Sequence, residues 1–213
     1  MHAVADSSNI DEIDTRVDGR SLRRERNREA VIEAFLTLVR EGNFDPGGAE
    51  IAERAGVSHR SVFRYFDDLA DLMITAIARE LQRGLPLGTL DRVGEGPFED
   101  RLERMVDAKL AMFEQLHGIA TVTRLRAVAM PSLTVAFAEI TAGFRKVMEQ
   151  HFALELARFP EADRPGIADG AQVLLSWDAY DVHRRLYAHD VDRIRRSTIV
   201  SVTALLDPST SDG

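Results

Sequence analysis

Residues Ile51–Phe66, IAERAGVSHRSVFRYF, decide how this chain is read. Ile51, Ala52 and Ala55 give a short helix a small apolar face. Gly56 follows where a helix ends in left-handed backbone, a conformation glycine adopts without steric cost. Val57 is expected to plug the turn, and Ser58 is placed to cap a second helix through its hydroxyl. Val62 and Phe66 lie one helical turn apart and form that helix's inner face. His59, Arg60, Ser61, Arg64 and Tyr65 are left outside. A helix, a glycine turn and a second helix with a cationic outer face is the sequence form of a helix-turn-helix.

Working outward, Val31, Ile32, Phe35, Leu38 and Val39 recur at helical spacing and predict an amphipathic helix over Ser21–Glu41. The loop NFDPGG, residues 43–48, leads into the central stretch. After it, Asp67 and Asp68 offer caps for a helix reaching about Arg83, with Leu69, Leu72, Met73, Ala76, Ile77 and Leu81 in one stripe. Residues 84–97, GLPLGTLDRVGEGP, carry four Gly and two Pro and make the clearest break in the chain. Beyond them the spacing predicts helices over Phe98–His117, Gly118–Met130, Pro131–Arg158, Ile167–Ala188 and Val191–Leu206. The predicted fold class is all-α. Residues 1–20 read as a disordered acidic tail, 21–84 as a helix-turn-helix domain, 85–97 as a hinge, 98–207 as a larger helical domain, and 208–213 as a disordered C-terminus.

Composition narrows the function. The 213 residues are 45% apolar and 29% charged, ordinary for a soluble globular protein. With no cysteine there is neither a disulfide nor a thiolate metal site. No apolar run is long enough to cross a membrane, and the N-terminus lacks the apolar core of a secretory signal, so a cytoplasmic protein is expected. The net charge of -8 argues against a general nucleic-acid coat protein. Between Arg20 and Phe66, however, nine Arg stand against seven acids, and these cations must be focused on one face to attract phosphates. Only Lys109 and Lys146 are lysines.

Catalytic signals are lacking. No nucleophile–base pair or phosphate loop is present, so neither an enzyme nor a cofactor is expected. Glu114 and His117 have the E-x-x-H spacing of carboxylate-bridged metal bundles, but no second copy exists, and His117 reads as a core-edge histidine. His151 shares a face with Val147 and Met148 and reads as a satisfied core histidine. No H-x-x-x-H pair points to a metal.

From Arg26 to Met73 the chain resembles the tetracycline-repressor (TetR) family of regulators. The likeness lies in VIEAFLTLVREG (31–42), EIAERAGVS (50–58) and SVFRYF-x-D-x-x-D-LM (61–73), followed by a long helical remainder. The resemblance implies a homodimer that binds palindromic operator DNA through its first domain and a small effector through its second. A repressor released by a mainly apolar effector is the expected function. The alternative is a DNA-binding dimer whose second domain only dimerises or binds a protein partner. Three departures thin the phosphate contacts. Pro46, Gly47 and Gly48 stand where the family often has Thr-Thr-Val with a phosphate-binding hydroxyl, Phe63 where it often has Tyr, and Leu69 where it often has Lys.

The expected DNA-facing set is Arg26, Arg28, Gly48, Ser58, His59, Arg60, Ser61, Phe63, Arg64 and Tyr65. Arg60 suits bidentate pairing with guanine, while Ser61 and Tyr65 suit phosphate oxygens. Met112, Phe113, Arg124, Phe137, Phe144, Trp177 and Tyr180 are the candidates to surround an effector pocket. Leu175, Val182, Leu186, Val191, Thr198 and Val202 are the candidates for a dimer interface built from the last two helices. Trp177 and Tyr180 suit either the pocket or the partner.

Overall fold

The first helix, α1, runs from Ser8 to Arg40 and starts well before the expected Ser21. Its charge pattern favours this extension. In sequence, Asp11, Glu12 and Asp14 precede a run of arginines, an order that suits a helix dipole. The acidic segment is therefore helical from Ser8 onward rather than a disordered tail. The structure is a computed structural model that describes the backbone of residues 8–127 and 131–207, and side chains of residues 21–127, 134, 135 and 137–207. The expected disordered C-terminus, 208–213, lies outside the described residues.

The chain divides into two compact units, Met1–Arg79 and Glu80–Gly213. In the first, α1 packs against α2 (Gly48–Ala55) and α3 (His59–Tyr65). Ile32, Phe35, Ile51, Val62, Phe66 and Leu72 are all buried, as their spacing predicted. α4 spans Leu69–Gly84, and the boundary between the units falls inside it.

In the second unit α5, Phe98–Ala127, is the central helix. It packs against α6 (Pro131–His151), α9 (Trp177–Asp181) and α10 (Val191–Leu206). α7 (Ala153–Leu156) and α8 (Arg164–Leu174) complete the bundle, and α10 rests on α8. No strand occurs among the described residues. α5 passes straight through Gly118, where a break was expected. Glycine inside a helix costs about 1 kcal/mol, and here it is buried among Leu116, Ile119 and Ala120, whose burial offsets that cost. Conversely, the helix predicted over Ile167–Ala188 is broken. Ser176 accepts the N–H of Ala179 at 3.2 Å and starts α9 afresh. A turn of π-helix, Val182–Leu186, follows.

Residues 85–97, expected to form a hinge, are fastened to the second unit. Leu85–Gly88 form a 3₁₀ turn against α5. A side chain at Gly84 would come within 2.5 Å of Leu116, and one at Gly88 within 2.7 Å of the Met112 sulfur, so glycine permits this approach. Gly94, at φ +79°, donates its N–H to His151 Nδ1 at 3.1 Å. Arg101 is fully buried. It holds Glu155 by two hydrogen bonds of 3.0 and 2.6 Å and donates to the carbonyls of Gly96 and His151. His151 is wholly buried with both ring nitrogens bonded, since Nε2 lies 3.0 Å from the Arg101 carbonyl. Nε2 therefore donates to that carbonyl and Nδ1 accepts, the neutral tautomer. Burial holds its pKa below the ordinary histidine value.

Candidate functional site

The helix-turn-helix is built as its residues dictate. Gly56 is left-handed at φ 66°, and the N–H groups of Gly56 and Val57 close the end of α2 on Glu53 and Ala52. Ser58 caps α3 by accepting the Ser61 N–H at 3.2 Å, and the two hydroxyls lie 2.8 Å apart. Arg60 stands exposed in the first turn of α3, and none of the described residues pairs with it. Arg26 and Arg64 are exposed as well. Arg28 is half-buried, 4.9 Å from the centre of the Phe66 ring and 4.0 Å from Glu25. These cations and the Ser58–Ser61 pair make a polar face able to meet phosphates and base edges.

Two expected contacts change. Tyr65 does not point outward. It is only 9% exposed, and its hydroxyl accepts from Asn27 at 3.2 Å and Arg64 at 2.7 Å. Its place in the core costs it the phosphate role. Gly48 is buried at the start of α2 under the recognition helix. A Cβ there would stand 3.1 Å from His59 Nε2 and 3.3 Å from the tip of Phe63. His59 and Phe63 pack edge to face at 5.0 Å, so the missing side chain at position 48 is the space these two rings use. The N-terminus of α2 is also less open to an anion than expected. The Glu50 carboxylate accepts the Gly47 N–H at 2.9 Å and occupies one of the donors a phosphate needs.

The second unit holds a cavity of about 110 Å³ lined from the end of α4, the 3₁₀ turn, α5, α6, α8 and α9. Met112, Phe113, Phe137, Phe144 and Trp177 line it, as does Arg124. Tyr180 does not line it. Tyr180 packs 5.4 Å from Phe113 and donates its hydroxyl to Glu114. Burial first, and that acceptor second, push its pKa well above the ordinary phenol value. Arg124 is half-exposed, ion-paired with Asp178, and lies 5.5 Å from the centre of the Phe137 ring. His117 is half-buried with its ring centre 5.6 Å from that of Trp177, and no group of residues that could hold a metal occurs among the described residues.

The residue that sequence reading missed is Lys109. It is 5% exposed, lines the cavity, and places Nζ 3.5 Å from the centre of the Phe144 ring. Desolvation pulls its pKa down to about 7. The signal was present, because Lys109 falls within the apolar stripe Met105, Val106, Met112 and Phe113 of α5.

Of the six expected dimer residues, Leu175 and Val202 are instead core residues, 2% and 0% exposed. Both face inward because the break at Ser176 and the packing of α10 on α8 turn them there. Val182, Val191 and Thr198 are half-buried, and Leu186 is exposed. Val173 and Val200 add exposed apolar surface on α8 and α10.

No family model matches the chain. Over 84 residues, 38% of its length, the chain is 31% identical to the HTH-type transcriptional repressor KstR of Rhodococcus jostii, and the match spans only 37% of that repressor. Among solved structures it is similar to a transcriptional regulator from Rhodococcus sp. Rha1, with a TM-score of 0.59 and 17% identity over 86% of this chain and 95% of that one. It is similar also to a protein described as a TetR-family regulator from Mesorhizobium loti, with a TM-score of 0.59 and 20% identity over 86% of this chain and 96% of that one. The chain therefore has the TetR-like all-α fold with an N-terminal helix-turn-helix. The resemblance read from Arg26–Met73 is borne out at this level.

Proposed function

We propose that this chain is a transcriptional regulator of the TetR type, a homodimeric repressor that a small molecule releases from palindromic DNA. The observation that carries this reading is the pairing, in one chain, of a helix-turn-helix bearing an exposed Arg60 with a helical unit that encloses an apolar cavity. Arg60 pairs with a guanine edge in the major groove, and Arg26, Arg64 and the Ser58–Ser61 hydroxyls take phosphates. Two copies present their recognition helices to successive grooves, about 34–36 Å apart. An effector that binds better to a splayed arrangement of the recognition helices draws the population off DNA. α4 runs without interruption from the first unit into the second and is the natural lever. The proteins this chain resembles are regulators, and no enzyme is proposed.

The test begins with selection of bound sequences from random duplex DNA. A palindrome is expected. Arg60→Ala should then lose discrimination between that palindrome and scrambled DNA, by about 10-fold or more, the worth of one bidentate base contact. Unchanged discrimination in Arg60→Ala overturns the assignment of the base-reading residue. Failure to select any duplex overturns the function.

A further inference from the structure

The cavity of the second unit is walled by Met112, Phe113, Phe137, Phe144 and Trp177, a surface suited to an apolar body. Lys109 breaks that pattern. Its side chain is buried, lines the cavity, and has no carboxylate or hydrogen-bond acceptor among the described residues. Its ammonium meets the faces of Phe144 at 3.5 Å and Phe113 at 6.0 Å instead. Rings hold a cation only weakly beside the hydration it has lost. A buried amine without an acid partner is costly to the fold, so its place at a ligand cavity asks what completes it.

We infer that the cavity takes an amphiphilic monoacid, its apolar chain among the aromatic walls and its carboxylate bound to Lys109. The other cation of the cavity does not compete for this role. Arg124 is already paired with Asp178 and is half-exposed. The other elements around the cavity bring Phe144 from α6, Gln172 from α8, and Trp177 and the Arg124-paired Asp178 from α9, while Ile194 and Thr198 of α10 line an adjoining cleft with Lys109. The one acid that lines the cavity, Asp178 on α9, is paired with Arg124, so of the two lining cations it is Lys109 that is open to a ligand carboxylate. A neutral or cationic ligand of the same shape leaves the amine unpaired or repelled.

This inference names the ligand class within the proposed regulatory reading, and its test is kept separate from DNA. Trp177 lines the cavity and is the only tryptophan of the chain, so its fluorescence reports occupancy directly. Octanoate, octanol and octylammonium serve as matched probes on the full chain. Octanoate is expected to bind at least 10-fold more tightly than either of the others. Lys109→Met, which keeps the length and removes the charge, should reduce octanoate to the level of octanol, and Lys109→Arg should retain the preference. Two calorimetric titrations of octanoate near pH 8, in buffers of different ionisation heat, should show proton uptake, because the carboxylate restores the charge that burial removes. Equal binding of the three probes, binding of none, or a preference that survives in Lys109→Met overturns the inference. Release of selected DNA by octanoate is measured apart, so a failure of regulation is distinguished from a failure of the ligand class.

Discussion

At position 65 a tyrosine on the recognition helix turns inward. Spacing alone set Tyr65 beside Arg64 on the outer face, but the helix has only seven residues, and its last turn is drawn against α1 by the hydrogen bond from Asn27. Tyr65→Phe should therefore lower the stability of the first unit by about 1 kcal/mol, the worth of one hydrogen bond, seen as a lower urea midpoint. Position 48 is the reverse case. The missing side chain was legible, yet not that His59 and Phe63 fill the space, because these contacts join residues distant in sequence. Both neighbours are exposed side-chain ends and can move, so Gly48→Ala should change stability by less than about 1 kcal/mol while shifting the sequence preference in the proposed DNA selection. Lys109 sat in plain view within an apolar stripe, but a lysine there usually reaches outward along its stem. Its folded pKa of about 7 lies below the ordinary 10.5, so the unfolded chain holds more protons between these values and stability rises with pH across them. Below about pH 7 the full cost of the buried charge is present. Lys109→Met should raise the melting temperature, most at pH 6 and least near pH 10, as differential scanning calorimetry would record.

Among the elements, the cap, the glycine turn and the inner stripe of the paired helices around Gly56 were legible because these signals agreed. The C-terminal helices were not. Gly118 looked like a stop and is a packed interior position, while Ser176 looked like a helix interior and is a cap. Local propensity is a weak guide where burial decides. The Arg101–Glu155 pair belongs to this scale, since it ties α5 to α7 and to the loop before α5. Glu155→Ala should destabilise the second unit by about 3–5 kcal/mol, because it leaves a buried guanidinium uncompensated, and chemical denaturation would measure it. His151 pins the same loop. Its pKa is depressed from the ordinary 6.5, so the unfolded chain takes up the proton first. The contribution of His151 is complete above about pH 6.5 and is lost as the pH falls through its lower folded value. Hydrogen exchange at Gly94 should accelerate correspondingly on acidification, beyond the intrinsic change for an exposed amide.

For the whole molecule, the chain divides into two compact units at Arg79 and Glu80, inside α4 and ahead of the glycine-rich stretch. Residues 85–97 look free in sequence because their partners, His151, Arg101 and Arg104, lie on helices that come later. The proposed interface between copies is the least legible in sequence, since an apolar residue such as Leu175 suits a core and an interface alike. The exposed Val200 on α10 is better placed than Val202 to meet a partner. Val200→Glu should shift sedimentation from dimer to monomer and weaken palindrome binding without changing the helical signal. Two lysines in 213 residues carry one more consequence, for labelling. Lys146 is exposed and Lys109 is enclosed, so reductive methylation with isotope-enriched formaldehyde marks two side chains of opposite access. The first signal sets the clock, and the delay before the second times how often the cavity wall opens.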